Sequence, residues 1–238
     1  MKHPLPQPPE IGTRDGLAYA LFAPRGEPTA GIVVHHGAGS AKESHFDFAR
    51  AAVAHDMAAV AFDARGHGRS EGAFGPGAID DVLAMCALMR ERAPRLALRG
   101  SSMGGFMAIQ AAAADGDVDA VVAICPAPED FLLRGLRSDR FEFEADRERL
   151  EPWLEGLDLK RAVASLAPRT ALLLLHAQAD EQIPYTISQE LFEAAGEPKR
   201  LLVMPGGHHR SIQHDGELQA VSLKFVERSV GADRSVSG

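Results

Sequence analysis

A single rhythm restricts the fold more than any other feature of the sequence. Short runs of β-branched and aliphatic residues recur at 30–35, 58–62, 96–98, 118–125, 170–177 and 200–204. Runs this short, bounded by glycine, proline or polar residues, have the form of strands buried on both faces of a parallel sheet. Between them, apolar residues return at helical spacing over 44–55, 79–92, 185–195 and 217–230. Helices also fit the alanine-rich stretch beyond Ser102. Strand and helix in strict alternation predict an α/β fold, with a mostly parallel sheet of about seven to eight strands and helices on both faces. A further strand over 17–23, paired with a short one near 11–14, leads into it. No internal repeat is present. At 238 residues, one large single domain over 1–238 is expected, with a core of matching size. The tail 231–238 is expected to fray.

The rhythm fails once. Residues 127–168 carry no strand signal, yet hold Phe131, Phe141, Phe143 and the only tryptophan, Trp153. A crossover needs about a dozen residues, so this length favours a helical cap inserted within the domain over a plain crossover.

The chemistry concentrates where the 96–98 strand meets the following helix, in Arg99-Gly100-Ser101-Ser102-Met103-Gly104-Gly105. Read as Gly-x-Ser-x-Gly, this places Ser102 on a sharp strand-to-helix turn, with small residues two positions either side where the backbone crowds. A serine hydroxyl needs a base to take its proton and a third group to orient that base. In a parallel sheet the partners come from the carboxyl ends of other strands. The 170–177 run leads to Asp180 and Glu181, and the 200–204 run to Gly206-Gly207-His208-His209. The order Ser, Asp, His agrees with a nucleophile on such a turn.

From about residue 30 to 226 the sequence resembles the α/β-hydrolase superfamily, in its serine-esterase and dienelactone-hydrolase-like branch, with serine rather than cysteine at the nucleophile position. The resemblance implies Asp180 as the acid, in a loop that closes with Ile183-Pro184 and has Ala177 where glycine is usual. It implies His209 as the base, with His208 the adjacent rival. Glu181 and then Asp130 are the alternative acids, and Ser101 the alternative nucleophile. The backbone N–H groups of Met103 and of Ala38, in His36-Gly37-Ala38, would form the oxyanion hole. Asp63-Ala64-Arg65-Gly66-His67-Gly68-Arg69-Ser70 resembles a family turn that fixes a loop near the site. His35 and His36 would brace the neighbouring loop.

These features imply a serine hydrolase, most simply a carboxylesterase for small acyl or aryl esters that works through an acyl-enzyme and needs no cofactor. Thioesterase, lipase-like and peptidase activity share the machinery, as does a non-catalytic ligand-binding homologue. No His/Cys/Asp set has metal-ligand spacing in the sequence, so no metal is expected. The 37–44 stretch has Ala41 where a phosphate loop requires glycine, and Glu71 stands where a third dinucleotide glycine would be, so no nucleotide site is expected.

A net charge of −8 argues against nucleic acid or an anionic membrane as partner, leaving a small-molecule ester as the expected one. The proline-rich start offers no signal peptide, and no apolar run has transmembrane length. Cys86 and Cys125 fall in apolar segments and are expected as reduced core thiols. A cytoplasmic location follows as the expectation, with oligomeric state left open.

Overall fold

The computed structural model describes residues 7–231. The first six residues and the tail beyond Gly231, expected as a leader and a frayed end, lie outside the described residues. In chain order the elements are β1 (Glu10–Arg14), β2 (Leu17–Phe22), β3 (Gly31–His35), α1 (Phe46–Val53), β4 (Ala58–Phe62), α2 (Ala78–Arg90), β5 (Leu96–Ser101) and α3 (Met103–Asp115). Then follow β6 (Ala120–Ile124), α4 (Glu129–Arg137), α5 (Arg147–Glu155), α6 (Leu159–Leu166), β7 (Ala171–Ala177), α7 (Thr186–Ala194), β8 (Lys199–Met204), α8 (Ser211–His214) and α9 (Gly216–Gly231).

The eight strands form one sheet in the order β1-β2-β4-β3-β5-β6-β7-β8. Asp15 and Gly16, both at positive φ, make the tight turn that the right-handed twist of a β1-β2 hairpin favours. β1-β2 and β2-β4 pair antiparallel, and every pairing from β4 to β8 is parallel. All the parallel strands except the edge strand β8 are buried along their whole length. That is why they read as unbroken apolar runs rather than alternating ones.

Alternation survives only in which face each residue serves. Val33, Val60, Leu98 and Val121 join the core under α2, α3, α6 and α7, while Ile32, Val34, Ala59 and Val122 join the core under α1, α8 and α9. The expected helix over 44–55 divides in two. Lys42–His45 forms a tight 3-10 turn before α1, drawn in because Asp63 takes both the backbone N–H and the ammonium of Lys42. Helix α8 is an addition that its four-residue length hid from periodicity.

The arrhythmic segment holds α4, α5 and α6 between β6 and β7. It is laced by its backbone to the loop after β4. Glu144 donates to the Gly66 carbonyl (3.2 Å), Phe74 donates to Glu144 (2.9 Å), and Asp146 donates to Phe74 (2.9 Å). No helix among the described residues is long and apolar enough to cross a membrane.

Candidate active site

Ser102 is the single residue between β5 and α3. Its φ of 56° and ψ of −118° lie where a residue with a Cβ is strained, a conformation kept at sites whose surroundings over-determine it. The surroundings here are backbone. Ser102 N donates to the Ile124 carbonyl (2.8 Å), and the Ser102 carbonyl accepts from Phe106 (3.1 Å) and Ala127 (3.2 Å). The glycines on either side are required by contact. A Cβ on Gly100 would collide with the Gly104 carbonyl, and one on Gly104 would collide with the carbonyls of His35 and His36. So the turn closes on itself and α3 starts hard against the end of β3.

That contact brings the loop after β3 to the serine. His35 pairs in register with Gly100, and a Cβ on Gly37 would lie 3.5 Å from the Ser102 Cβ. Ala38 follows Gly37, and Met103 opens α3 with its side chain buried. Their N–H groups therefore belong to the two segments that meet at Ser102. The loop itself is braced by histidines. His36 Nε2 accepts the Ala64 N–H (3.0 Å), which leaves its Nδ1–H for the Gly37 carbonyl (2.7 Å). His35 Nδ1 bonds the His36 carbonyl at 2.8 Å. Burial drives both rings towards the neutral form, His35 down to about 3 and His36 down to about 4, with the neighbouring rings repelling a second charge.

The expected acid and base, Asp180 and His209, follow the ends of β7 and β8. Asp180 Oδ2 lies 2.7 Å from His209 Nδ1, and both side chains are buried, 1% and 7% exposed. The other carboxylate oxygen accepts the backbone N–H groups of Gln182 and Ile183, each at 2.9 Å. His176 Nε2 approaches Oδ2 at 3.4 Å while bonding the Ile183 carbonyl. Burial pushes the Asp180 carboxyl up, but these donors together more than reverse it and hold the group far below the usual carboxylate range. Asp180 is thus a fixed anion aimed at Nδ1.

The alternatives take other places. His208 is exposed, and its ring accepts the Arg210 N–H. Glu181 accepts the backbone N–H of His209 at 3.0 Å, so it fixes the chain and leaves the ring to Asp180. Asp130 pairs with Arg134 on the outside of α4. The Ser101 side chain is buried within β5.

Two contributions lie beyond what spacing could reveal. Cys125, also at positive φ (43°), places Sγ within 4.8 Å of an Asp180 oxygen and a His209 nitrogen. Burial, with the Asp180 carboxylate beside it, pushes the thiol well above its ordinary value. Among the described residues these three have the atom types of a metal site, yet a metal on Nδ1 would have to replace the proton shared with Asp180. The second contribution is Arg99, fully buried in β5. Its guanidinium lies over Phe48 (4.0 Å to the ring centre) and donates to the Gln213 carbonyl at 3.0 Å, tying the strand before Ser102 to the helix after His209. Burial lowers it to about 10, so it stays charged at neutral pH.

Residues 26–132 match the serine aminopeptidase S33 family (Hydrolase_4). The chain is 29% identical over 196 residues to the uncharacterized protein YfhR of Escherichia coli O157:H7, a match covering 78% of this chain and 65% of that protein. It therefore spans less than two thirds of the relative's length. Among solved structures it is similar to the α/β hydrolase GrgF of Penicillium sp. sh18, with a TM-score of 0.79 and 18% identity over 96% of this chain and 100% of that one. It is also similar to Est1E of Butyrivibrio proteoclasticus with ferulic acid bound, with a TM-score of 0.72 and 18% identity over 92% of this chain and 96% of that one. With this sheet order, and with that family match over residues 26–132, the chain has the α/β-hydrolase fold.

Proposed function

We propose that the protein is a serine carboxylesterase acting on small acyl or aryl esters. The observation that carries this reading is the buried 2.7 Å pairing of His209 with Asp180, at the same end of the sheet as a serine held at positive φ. In the proposed cycle Ser102 Oγ attacks the ester carbonyl and His209 Nε2 takes its proton. Asp180 keeps the other proton on Nδ1 and stabilises the imidazolium. The N–H groups of Met103 and Ala38 receive the oxyanion. His209 then returns its proton to the departing alcohol, the acyl group remains on Ser102, and water repeats the sequence to release the acid.

The size preference rests on the three-helix segment, read here as a cap. Where it meets Met103, lined also by Phe74, Leu132, Leu136 and Phe143, it leaves an apolar gap of only about 10 Å³, on the order of one water. Compact acyl groups suit such a seam better than long chains. The ferulic acid bound by the structural neighbour Est1E supports an aryl group as a second candidate. The aminopeptidase family match favours one rival, amide hydrolysis. Turnover of p-nitrophenyl acetate, butyrate and octanoate, a feruloyl ester, an acyl thioester and an amino-acid p-nitroanilide distinguishes these. Acetate or feruloyl ester is expected to lead, and a p-nitroanilide turned over faster than every ester contradicts the esterase reading.

A further inference from the structure

His67 belongs to the 63–70 turn and takes no part in the proton transfers described above. Its surroundings are nonetheless specific. Nδ1 lies 3.0 Å from the Arg65 carbonyl, which can only accept, so Nδ1 carries the proton and Nε2 is the acceptor. That acceptor takes the backbone N–H of Gly39 at 3.1 Å. Gly39 has φ of 66° and immediately follows Gly37-Ala38, so this bond pins the far end of the loop whose near end rests on Ser102. On its other side the His67 ring carries Phe143 of the cap, with centres 4.2 Å apart and planes inclined by 31°. Phe143 adjoins Glu144, whose N–H and carbonyl lace the cap to Gly66 and Phe74. The turn is held in place from beneath by Asp63, which bonds Lys42 Nζ (2.6 Å) and the Arg69 N–H (2.9 Å).

We propose that His67 is a positioning residue for the oxyanion loop, and that the cap acts on that loop through Phe143 seated on the imidazole. The inference rests on the serine-esterase reading, because it concerns the same Ala38 N–H. It makes a definite division of labour. The Nε2 lone pair fixes where the Ala38 donor points, and the ring face transmits whether the cap is in place. Even an ester with a very small acyl group should therefore feel a change at Phe143 mainly in the rate of chemistry rather than in binding.

Three variants separate these roles with p-nitrophenyl acetate. His67→Phe keeps an aromatic face for Phe143 and removes the acceptor, and His67→Gln supplies an amide oxygen near the Nε2 position. Phe143→Leu keeps the acceptor and removes the ring contact. Because deleting a whole oxyanion donor costs about 10²–10³-fold in kcat, misplacing one in His67→Phe is expected to cost about tenfold or more. KM should stay within about twofold, and His67→Gln should recover most of the loss. Phe143→Leu is expected to lower kcat about threefold to tenfold, again with little change in KM.

Unchanged kcat in a folded His67→Phe overturns the proposal, as does a loss in KM alone. If His67→Phe does not fold, Phe143→Leu decides, and wild-type kcat there overturns the link to the cap. A wild-type protein that turns over no ester would instead sink the esterase reading before any variant is compared.

Discussion

Asp180 is the residue on which the proposed chemistry turns, because its environment leaves it no choice of state. A carboxylate that accepts two backbone N–H groups and a histidine stays ionised far into acid. It can therefore orient Nδ1 of His209 throughout the neutral range. His208, one position away, has no such partner among the described residues. His209→Ala is accordingly expected to lower kcat for p-nitrophenyl acetate by about 10⁴-fold or more, and His208→Ala by less than about threefold. The reverse pattern would assign the base to His208. Spacing made Ser102, Asp180 and the histidine pair legible in the sequence, because each follows a recognisable strand. The resemblance already favoured His209 over His208, and the fold adds the geometry on which the proposed choice rests. The difference lies in the path of the chain after Gly207, and in Glu181 reaching across from another loop to hold the His209 N–H.

At the scale of elements, the strands were readable because burial on both faces removes polar residues from them. The three-helix segment between β6 and β7 was readable only as an interruption. Its attachment by Glu144 to Gly66 and Phe74 uses main-chain groups, which leave no residue-type signature. The same is true of the bond from Gly39 to His67, made across 28 positions. Cys125 read as an ordinary core thiol and Arg99 carried no reading of its own, and only the assembled sheet brings them to Asp180 and to α8.

Helix α4 gives the proposed cap a second testable property. Leu136 is 2% exposed and walls the gap above Met103. Leu136→Ala is expected to destabilise the protein by about 2–4 kcal/mol. The space it opens should raise the kcat/KM ratio of butyrate to acetate by about tenfold or more, since each of the two extra methylenes is worth about that much in an apolar pocket. Denaturant titration and the two esters measure both effects. An unchanged ratio would place the acyl group elsewhere.

Across the whole molecule, the neutral histidines at the end of β3 make stability depend on pH. Their folded values, about 3 for His35 and about 4 for His36, lie below the ordinary 6.5. As pH falls below about 6.5 the unfolded chain binds protons that the folded chain refuses, so stability declines until the folded values are reached. Each ring can contribute up to about 1.4 kcal/mol per pH unit in that window. Asp180 and Asp63, whose folded values are depressed, add a further loss below about pH 4, as the unfolded carboxylates take up protons first. Urea midpoints should therefore fall steadily between pH 6.5 and 4.5. A flat profile there would mean that the two buried rings are charged in the folded protein.

The proposed function requires Ser102 to be a nucleophile activated by this arrangement. Labelling with a fluorophosphonate, followed by mass spectrometry of the peptide containing residues 100–105, tests it most directly. The account predicts one phosphonate per folded chain, on Ser102, abolished in Ser102→Ala and slowed severely in His209→Ala. A folded wild-type protein that takes no label, or carries it on another residue, would contradict it.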